Sequence, residues 1–180
     1  MLGAMVAVTT ALAARAELQN ENLLTPLPAG YKVDFQKRQG RAEITEMVPT
    51  GENVNNWTEM VTVQTFFGLN VTPEQFKTGM EKNWTSACPG ATSRLIATSP
   101  ERGYPASLWV LSCPRNPGTG QPEHTWIKAI KGADSFYMVQ KAFKFAPSKE
   151  QETKWLAYLR DVWVCDTRVA ARACPKGMQP

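Results

Sequence analysis

The sequence has very little of the side-chain chemistry that most enzymes and metal proteins use. A single histidine, His124, occurs among 180 residues, and no Gly-x-Ser-x-Gly segment surrounds a serine. A serine hydrolase needs a base beside its nucleophile, and zinc sites draw on several Cys and His ligands. We therefore expect no serine-type catalysis and no metal, and the sequence indicates no cofactor.

Clustered charge and long apolar runs are also missing. The net charge is +4, but the lysines and arginines are spread along the chain. A nucleic-acid protein concentrates such charge on one stripe, so we expect no nucleic-acid partner and a weak preference for anionic ones. No segment after the first residues is long and apolar enough to span a membrane. With 43% hydrophobic and 20% charged residues, the composition is that of one globular domain.

The first residues differ in composition from the rest. Residues 1–14 carry no charge, and Ala14-Arg15-Ala16 offers a small-x-small cleavage site before Glu17. This pattern predicts a secretory signal peptide over 1–16, with its basic start truncated, and the alternative is a buried N-terminal helix. We expect a single α+β domain over 17–165, a tail over 166–180, and a bacterial protein that is periplasmic or secreted.

The four cysteines fit an oxidising compartment. Cys88, Cys113, Cys165 and Cys174 form no C-x-x-C pair. Four cysteines allow three pairings. We favour Cys88 with Cys113 and Cys165 with Cys174, which would tie down the tail, and the alternative is free structural thiols.

Two helices are marked by capping signals. Thr72, Pro73 and Gln75 are typical of a helix start, and a stripe of Phe76, Met80 and Trp84 follows. A second helix is predicted from Ser148, with a buried stripe that runs to Val162 and Trp163. Seven runs rich in β-branched and aromatic residues predict strands at 31–36, 41–48, 57–67, 92–98, 106–113, 123–131 and 135–145.

The order βββ-α-ββββ-α predicts the fold class. The connections between strands are too short for parallel crossovers. We therefore expect an α+β fold, an antiparallel sheet of about seven strands with two helices packed on one face.

Three short phrases carry a resemblance to a known architecture. They are NWTEMV at 56–61, GYP at 103–105 and DSFY at 134–137. With the element order, they resemble a family of small secreted proteobacterial proteins of Mog1/PsbP-like architecture, over most of the mature chain. The resemblance implies a binding or accessory role by fold analogy alone, and it assigns no functional residue.

The last predicted hairpin holds the best candidate site. Gly132-Ala133 suits a two-residue type II′ turn, which pairs Lys128 with Tyr137 and His124 with Lys141. The more apolar face, with Phe136 and Met138, should lie under the helices. The opposite face mixes aromatic and basic side chains, as recognition surfaces do, and the alternative is an ordinary solvent-facing sheet. The predicted binding residues are His124, Trp126, Lys128, Tyr137 and Lys141.

The strand carboxylates offer the competing hypothesis of an enzyme. Glu43, Glu46 and Glu59 lie on neighbouring predicted strands, although Glu43 and Glu46 point to opposite faces. A periplasmic hydrolase or lyase would use Glu46 and Glu59 with Lys128. We favour instead a non-enzymatic binding or accessory module, monomeric or weakly dimeric, that recognises an envelope protein or a small anionic ligand. A purely structural envelope protein is the third possibility.

Overall fold

The computed structural model describes residues 18–176 of the chain. The predicted signal peptide and its cleavage site lie outside the described residues, as does the end of the predicted tail. No helix of the described part is long and apolar enough to cross a membrane.

Residues 18–176 form nine strands and two α-helices, with one turn of 3₁₀ helix at Ala170–Arg172. The helices are α1 at Pro73–Ala87 and α2 at Lys149–Asp161. The strands are β1 Glu21–Leu24, β2 Tyr31–Gln39, β3 Ala42–Pro49, β4 Glu59–Phe67, β5 Thr92–Thr98, β6 Ala106–Cys113, β7 Glu123–Lys131, β8 Ser135–Phe143 and β9 Trp163–Asp166.

Seven of the strands form one antiparallel sheet in the order β2-β3-β4-β8-β7-β6-β5. The α+β class and the seven-stranded antiparallel sheet with two helices are confirmed. The sequence did not predict β1 and β9, which pair with each other in a separate ribbon. It also placed Val162 and Trp163 in the second helix, whereas α2 ends at Asp161 and Trp163 begins β9.

Both helices start as their capping signals predict. Thr72 accepts a hydrogen bond from the Gln75 backbone, and the Gln75 side chain accepts one from the Thr72 backbone. Ser148 and Gln151 form the same capping box at α2. The two reciprocal bonds satisfy backbone N–H groups that a helix start leaves without partners.

The two helices cover opposite faces of the sheet, so the prediction that both pack on one face is wrong. Beneath α1 lies the cluster Trp109, Leu111, Ile127, Ala129, Phe136 and Met138. Beneath α2 lies the cluster Met47, Val61, Leu108, Val110, Trp126, Val139 and Phe143. Side chains alternate along a strand, so the neighbours Trp126 and Ile127 belong to different faces. Because β8 is buried along nearly its whole length and β7 over 125–130, each face of these strands needs a cover of its own.

Both predicted disulfides are confirmed. Cys88 at the end of α1 is bonded to Cys113 at the end of β6, with the two Cα atoms 5.9 Å apart. Cys165 of β9 is bonded to Cys174, with a Cα separation of 4.8 Å, and this bond ties the tail to the ribbon.

Candidate functional site

The β7–β8 hairpin is shifted by two residues from the predicted register. Lys128 lies opposite Val139, not Tyr137, and the predicted turn at Gly132-Ala133 is wrong. The Gly132 N–H donates to the Ser135 carbonyl at 2.9 Å, which makes Ala133-Asp134 the two-residue loop. Because the side-chain period along a strand is two, this shift leaves every residue on its predicted face.

A carboxylate from a distant strand stabilises this loop. Glu21 of β1 accepts hydrogen bonds from the backbone N–H groups of Ala133, Asp134 and Ser135. It also accepts one from the Tyr137 hydroxyl at 3.0 Å. Gly132 does not adopt the positive φ that a type II′ turn requires at its first central position. Its missing side chain instead leaves room for the half-buried Glu21 carboxylate.

The face predicted to be open is the interior under α2 and the β1–β9 ribbon. Trp126, Lys128, Tyr137 and Lys141 are 3%, 2%, 4% and 0% exposed, so the expectation of a solvent-facing surface is wrong. His124 is half-buried at the far end of β7, where its Nδ1 lies 3.0 Å from the Ser112 hydroxyl. The predicted residues therefore do not form one exposed surface. His124 contacts Ser112, and Lys128 and Lys141 each have their own buried partners.

Lys141 is enclosed by aromatic rings and a carboxylate. Its Nζ donates to Tyr31 Oη at 2.6 Å and to Glu59 Oε2 at 2.7 Å. The same Nζ lies 4.0 Å from the ring centre of Trp155 on α2 and 4.4 Å from that of Phe143. Burial lowers the pKa of the Lys141 ammonium to about 8, although its hydrogen bond to Glu59 opposes the shift. This cluster attaches α2 to the sheet.

Lys128 holds the other end of α2. Its Nζ donates to the backbone carbonyls of Arg160 and Val162, where the helix ends, and forms a salt bridge with Glu101. These acceptors occupy all three N–H groups of the ammonium. A cation is favourable at a helix C-terminus, where backbone carbonyls lack helical partners. Burial lowers the pKa of Lys128, and Glu101 opposes this shift.

Glu101 belongs to the tight turn that joins β5 to β6. Its backbone exchanges two hydrogen bonds with Tyr104, at 2.8 and 2.9 Å, around the central residues Arg102 and Gly103. Both central residues have positive φ, 48° for Arg102 and 82° for Gly103. Such φ values define a type I′ turn, in which Asn, Asp or Gly is the usual first central residue. An arginine at this position adopts a conformation that L-residues rarely populate.

The turn places the Arg102 guanidinium over the Trp163 indole, with 3.4 Å between its central carbon and the ring centre. Next to this pair a pocket of about 330 Å³ opens between the turn and the end of α2. The size lies at the lower end of the range for small-molecule sites. Its lining residues are Glu101, Arg102, Arg160, Asp161 and Trp163.

Neither Arg102 nor Arg160 forms a salt bridge within the described part of the chain. The salt bridges among residues 18–176 use other basic side chains, namely Lys32, Lys77, Lys128, Lys141 and Arg168. With Lys128 neutralising Glu101, the pocket retains two guanidinium groups against the single carboxylate of Asp161. A planar guanidinium donates paired hydrogen bonds to carboxylate or phosphate oxygens.

The carboxylates of the enzyme hypothesis do not converge. Glu59 lies on the α2 face with Lys141. Glu46 lies opposite Thr62 on the other face, and Glu43 accepts a hydrogen bond from Gln36 near the edge of the sheet. Burial raises the pKa of Glu46, but no basic side chain accompanies it. No group of three or more His, Cys, Asp or Glu residues in the described part is placed to hold a metal ion.

None of the predicted site residues lines the pocket, but Lys128 contacts two residues that do, Arg160 and Glu101. The residues that line the pocket were not predicted. One signal was available, since Arg102-Gly103 lies between two strands in a place where a two-residue turn fits. Arg160, Asp161 and Trp163 carried no such signal, because they were assigned to a continuous helix.

No family model matches the chain, and no curated protein matches it in sequence. Among solved structures, it is similar to a variant of protein Mog1, with 11% identity, a TM-score of 0.47, and coverage of 76% of this chain and 78% of the other. The Ran-binding protein Mog1p of Saccharomyces cerevisiae is 10% identical, with a TM-score of 0.44 and coverage of 78% and 85%.

A third similar structure is LpqN of Mycobacterium tuberculosis, described as involved in cell envelope biogenesis. It is 10% identical, with a TM-score of 0.43 and coverage of 82% of this chain and 86% of the other. At these values the similarity carries no statement about function, which must come from the contacts of this chain.

The contacts of Lys128 predict that replacing it destabilises the protein, whereas replacing a surface lysine does not. Lys128→Met leaves Glu101 and two helix-end carbonyls without their donor, and we expect a loss of about 3 kcal/mol in the free energy of unfolding. Urea denaturation measures this loss. The exposed Lys82 of α1 is the matched control, and Lys82→Met should stay within about 0.5 kcal/mol of wild type. Equal losses in the two variants would contradict the assigned role of Lys128.

The lowered pKa of Lys141 predicts that the free energy of unfolding rises with pH in the alkaline range. Its folded pKa of about 8 lies below its unfolded value of 10.5, so between these values the unfolded chain binds more protons. The free energy of unfolding of wild type, minus that of Lys141→Met, should therefore increase from about pH 8 to pH 9.5. The difference between the two proteins removes contributions from other groups. A decrease would mean that Glu59 outweighs burial.

Proposed function

We propose that this protein is an exported, non-enzymatic binding module that holds a small anionic ligand in the pocket between the Arg102-Gly103 turn and the end of α2. Arg102 and Arg160 bind the anionic group, and Trp163 supplies an aromatic wall. The ligand can be free or part of an envelope partner, because the recognised chemistry, a carboxylate or phosphate, is the same.

The conformation of Arg102 carries this proposal. The backbone is held at a φ of 48°, where most side chains are disfavoured, and the guanidinium lies over Trp163 without a salt-bridge partner among residues 18–176. Strained residues of this kind persist where the surrounding structure imposes them, and they cluster at ligand sites. A guanidinium set on an aromatic ring is preorganised, so less freedom is lost when an anion binds.

The state of Lys128 supports a binding role over catalysis. A buried lysine with a lowered pKa is a candidate nucleophile in many enzymes, but only if a lone pair can reach the substrate. Here all three N–H groups donate to Arg160, Val162 and Glu101. The buried ammonium therefore holds two residues that line the pocket, Arg160 and Glu101, and the Glu101 carboxylate is already paired with it.

The disulfides support export. Two bonds link all four cysteines, and such bonds persist in oxidising compartments. If residues 1–16 are a signal peptide, protein purified from the periplasm or medium of its native host should begin near Glu17. N-terminal sequencing checks this. Native protein that retains residues 1–16 would contradict it.

Binding to the pocket can be tested with two simple anions. Inorganic phosphate and succinate, titrated by calorimetry at low salt, represent the phosphate and carboxylate forms of the ligand. We expect at least one to bind saturably, and Arg102→Ala or Arg160→Ala to weaken it at least about tenfold, because each removes a charged hydrogen-bond donor. Asp161→Asn should tighten binding, since it removes the opposing charge from the rim.

Arg115 provides the matched control for these variants. It lies exposed in the β6–β7 connection, and Arg115→Ala should bind the probe as wild type does. The absence of saturable binding by either anion would contradict the proposed ligand class. Binding that Arg102→Ala leaves unchanged would place the site elsewhere.

A further inference from the structure

The C-terminal tail reaches back to the turn that carries Arg102. The contact is made by Arg172, the last residue of the 3₁₀ turn Ala170–Arg172. Its Nε donates to the Arg102 carbonyl at 2.7 Å, and its second nitrogen lies 3.4 Å from the Gly103 carbonyl. The guanidinium also rests on the Tyr104 ring, 4.2 Å from the ring centre. One side chain thus contacts three consecutive residues of the turn.

The turn is built to receive this arginine. A Cβ atom on Gly103 would lie 2.7 Å from the nearer guanidinium nitrogen of Arg172, so a side chain there would displace the guanidinium. Glycine at this position leaves room for Arg172 and also adopts the φ of 82° without strain. The carbonyls of a two-residue turn have no partner within the hairpin, and Arg172 supplies a charged donor to them.

The tail itself is anchored close to this contact. Cys174 follows Arg172 by two positions and is bonded to Cys165, which is fully buried in β9. The same strand begins with Trp163, the ring on which Arg102 lies. The disulfide therefore links the segment that carries Arg172 to the strand that begins with Trp163.

We propose that Arg172 is a positioning residue for the ligand pocket, and that the Cys165–Cys174 disulfide makes the tail an essential part of that site. Arg172 holds the backbone of Arg102 and Gly103 so that the Arg102 side chain stays on Trp163 and faces the pocket. This inference rests on the proposed function for its effect on affinity. The placement of Arg102 can be measured without any ligand.

The ligand-free test uses the indole N–H resonance of Trp163 in the full mature chain. The chain has six tryptophans, and the resonance is the one lost in Trp163→Phe. Arg102→Ala removes the stacked guanidinium and gives the reference shift. We expect Arg172→Ala, and the double variant Cys165→Ala/Cys174→Ala, to move the Trp163 resonance toward that reference. Arg172→Lys keeps the charge but loses the forked contact, and should move it partway.

Two matched variants separate positioning from general destabilisation. Arg115→Ala removes an arginine elsewhere, and Cys88→Ala/Cys113→Ala removes the disulfide at the opposite end of β6. Both should leave the Trp163 resonance at its wild-type position, even if the second lowers stability. A wild-type Trp163 resonance in Arg172→Ala would overturn the proposal, as would an equal displacement in both double variants.

The affinity for the probe anion completes the test. If phosphate or succinate binds, Arg172→Ala should weaken the affinity for that anion about tenfold. This corresponds to the loss of one charge-assisted hydrogen bond. Arg172 itself does not line the pocket. Unchanged affinity alongside a displaced Trp163 resonance would overturn the link to binding. If neither anion binds wild type, the proposed function fails, while the resonance still decides whether Arg172 positions Arg102.

Discussion

β7 and β8, in the middle of the sheet, are buried on both faces, and the rest of the structure depends on this constraint. β8 is buried along nearly its whole length and β7 over 125–130, so neither face of these strands can be left to solvent. Burial of apolar surface is the main favourable term in folding, and it requires two separate covers here. α1 supplies one, and α2 with the β1–β9 ribbon supplies the other.

The second cover lies over two lysines, which gives that side of the molecule its polar interior. Lys141 binds Glu59 and Tyr31 near the middle of α2, and Lys128 binds the carbonyls at its end. A buried ammonium is costly unless its donors are satisfied, so these contacts define where the helix lies and where it ends. The helix end, in turn, places Arg160 and Asp161 at the pocket.

The pocket is assembled from segments far apart in the chain. A strand turn supplies Arg102, the helix end supplies Arg160, and the ribbon supplies Trp163. Arg172 of the tail contacts the turn that carries Arg102, from 70 residues away. Loops on a rigid scaffold commonly carry binding residues in this way.

Local pattern in the sequence determined the seven strands of the large sheet, both capping boxes and the two residue sets of the β7–β8 hairpin. These features depend on neighbours along the chain, or on a period of two that survives a register shift of two. Tertiary structure alone decided which face α2 covers, that Lys128 and Lys141 are buried, and where the hairpin turns. Glu21 binds the turn from 112 residues away, and no local pattern encodes such a partner. The pocket belongs to this second group, since its residues meet only after the covers are in place.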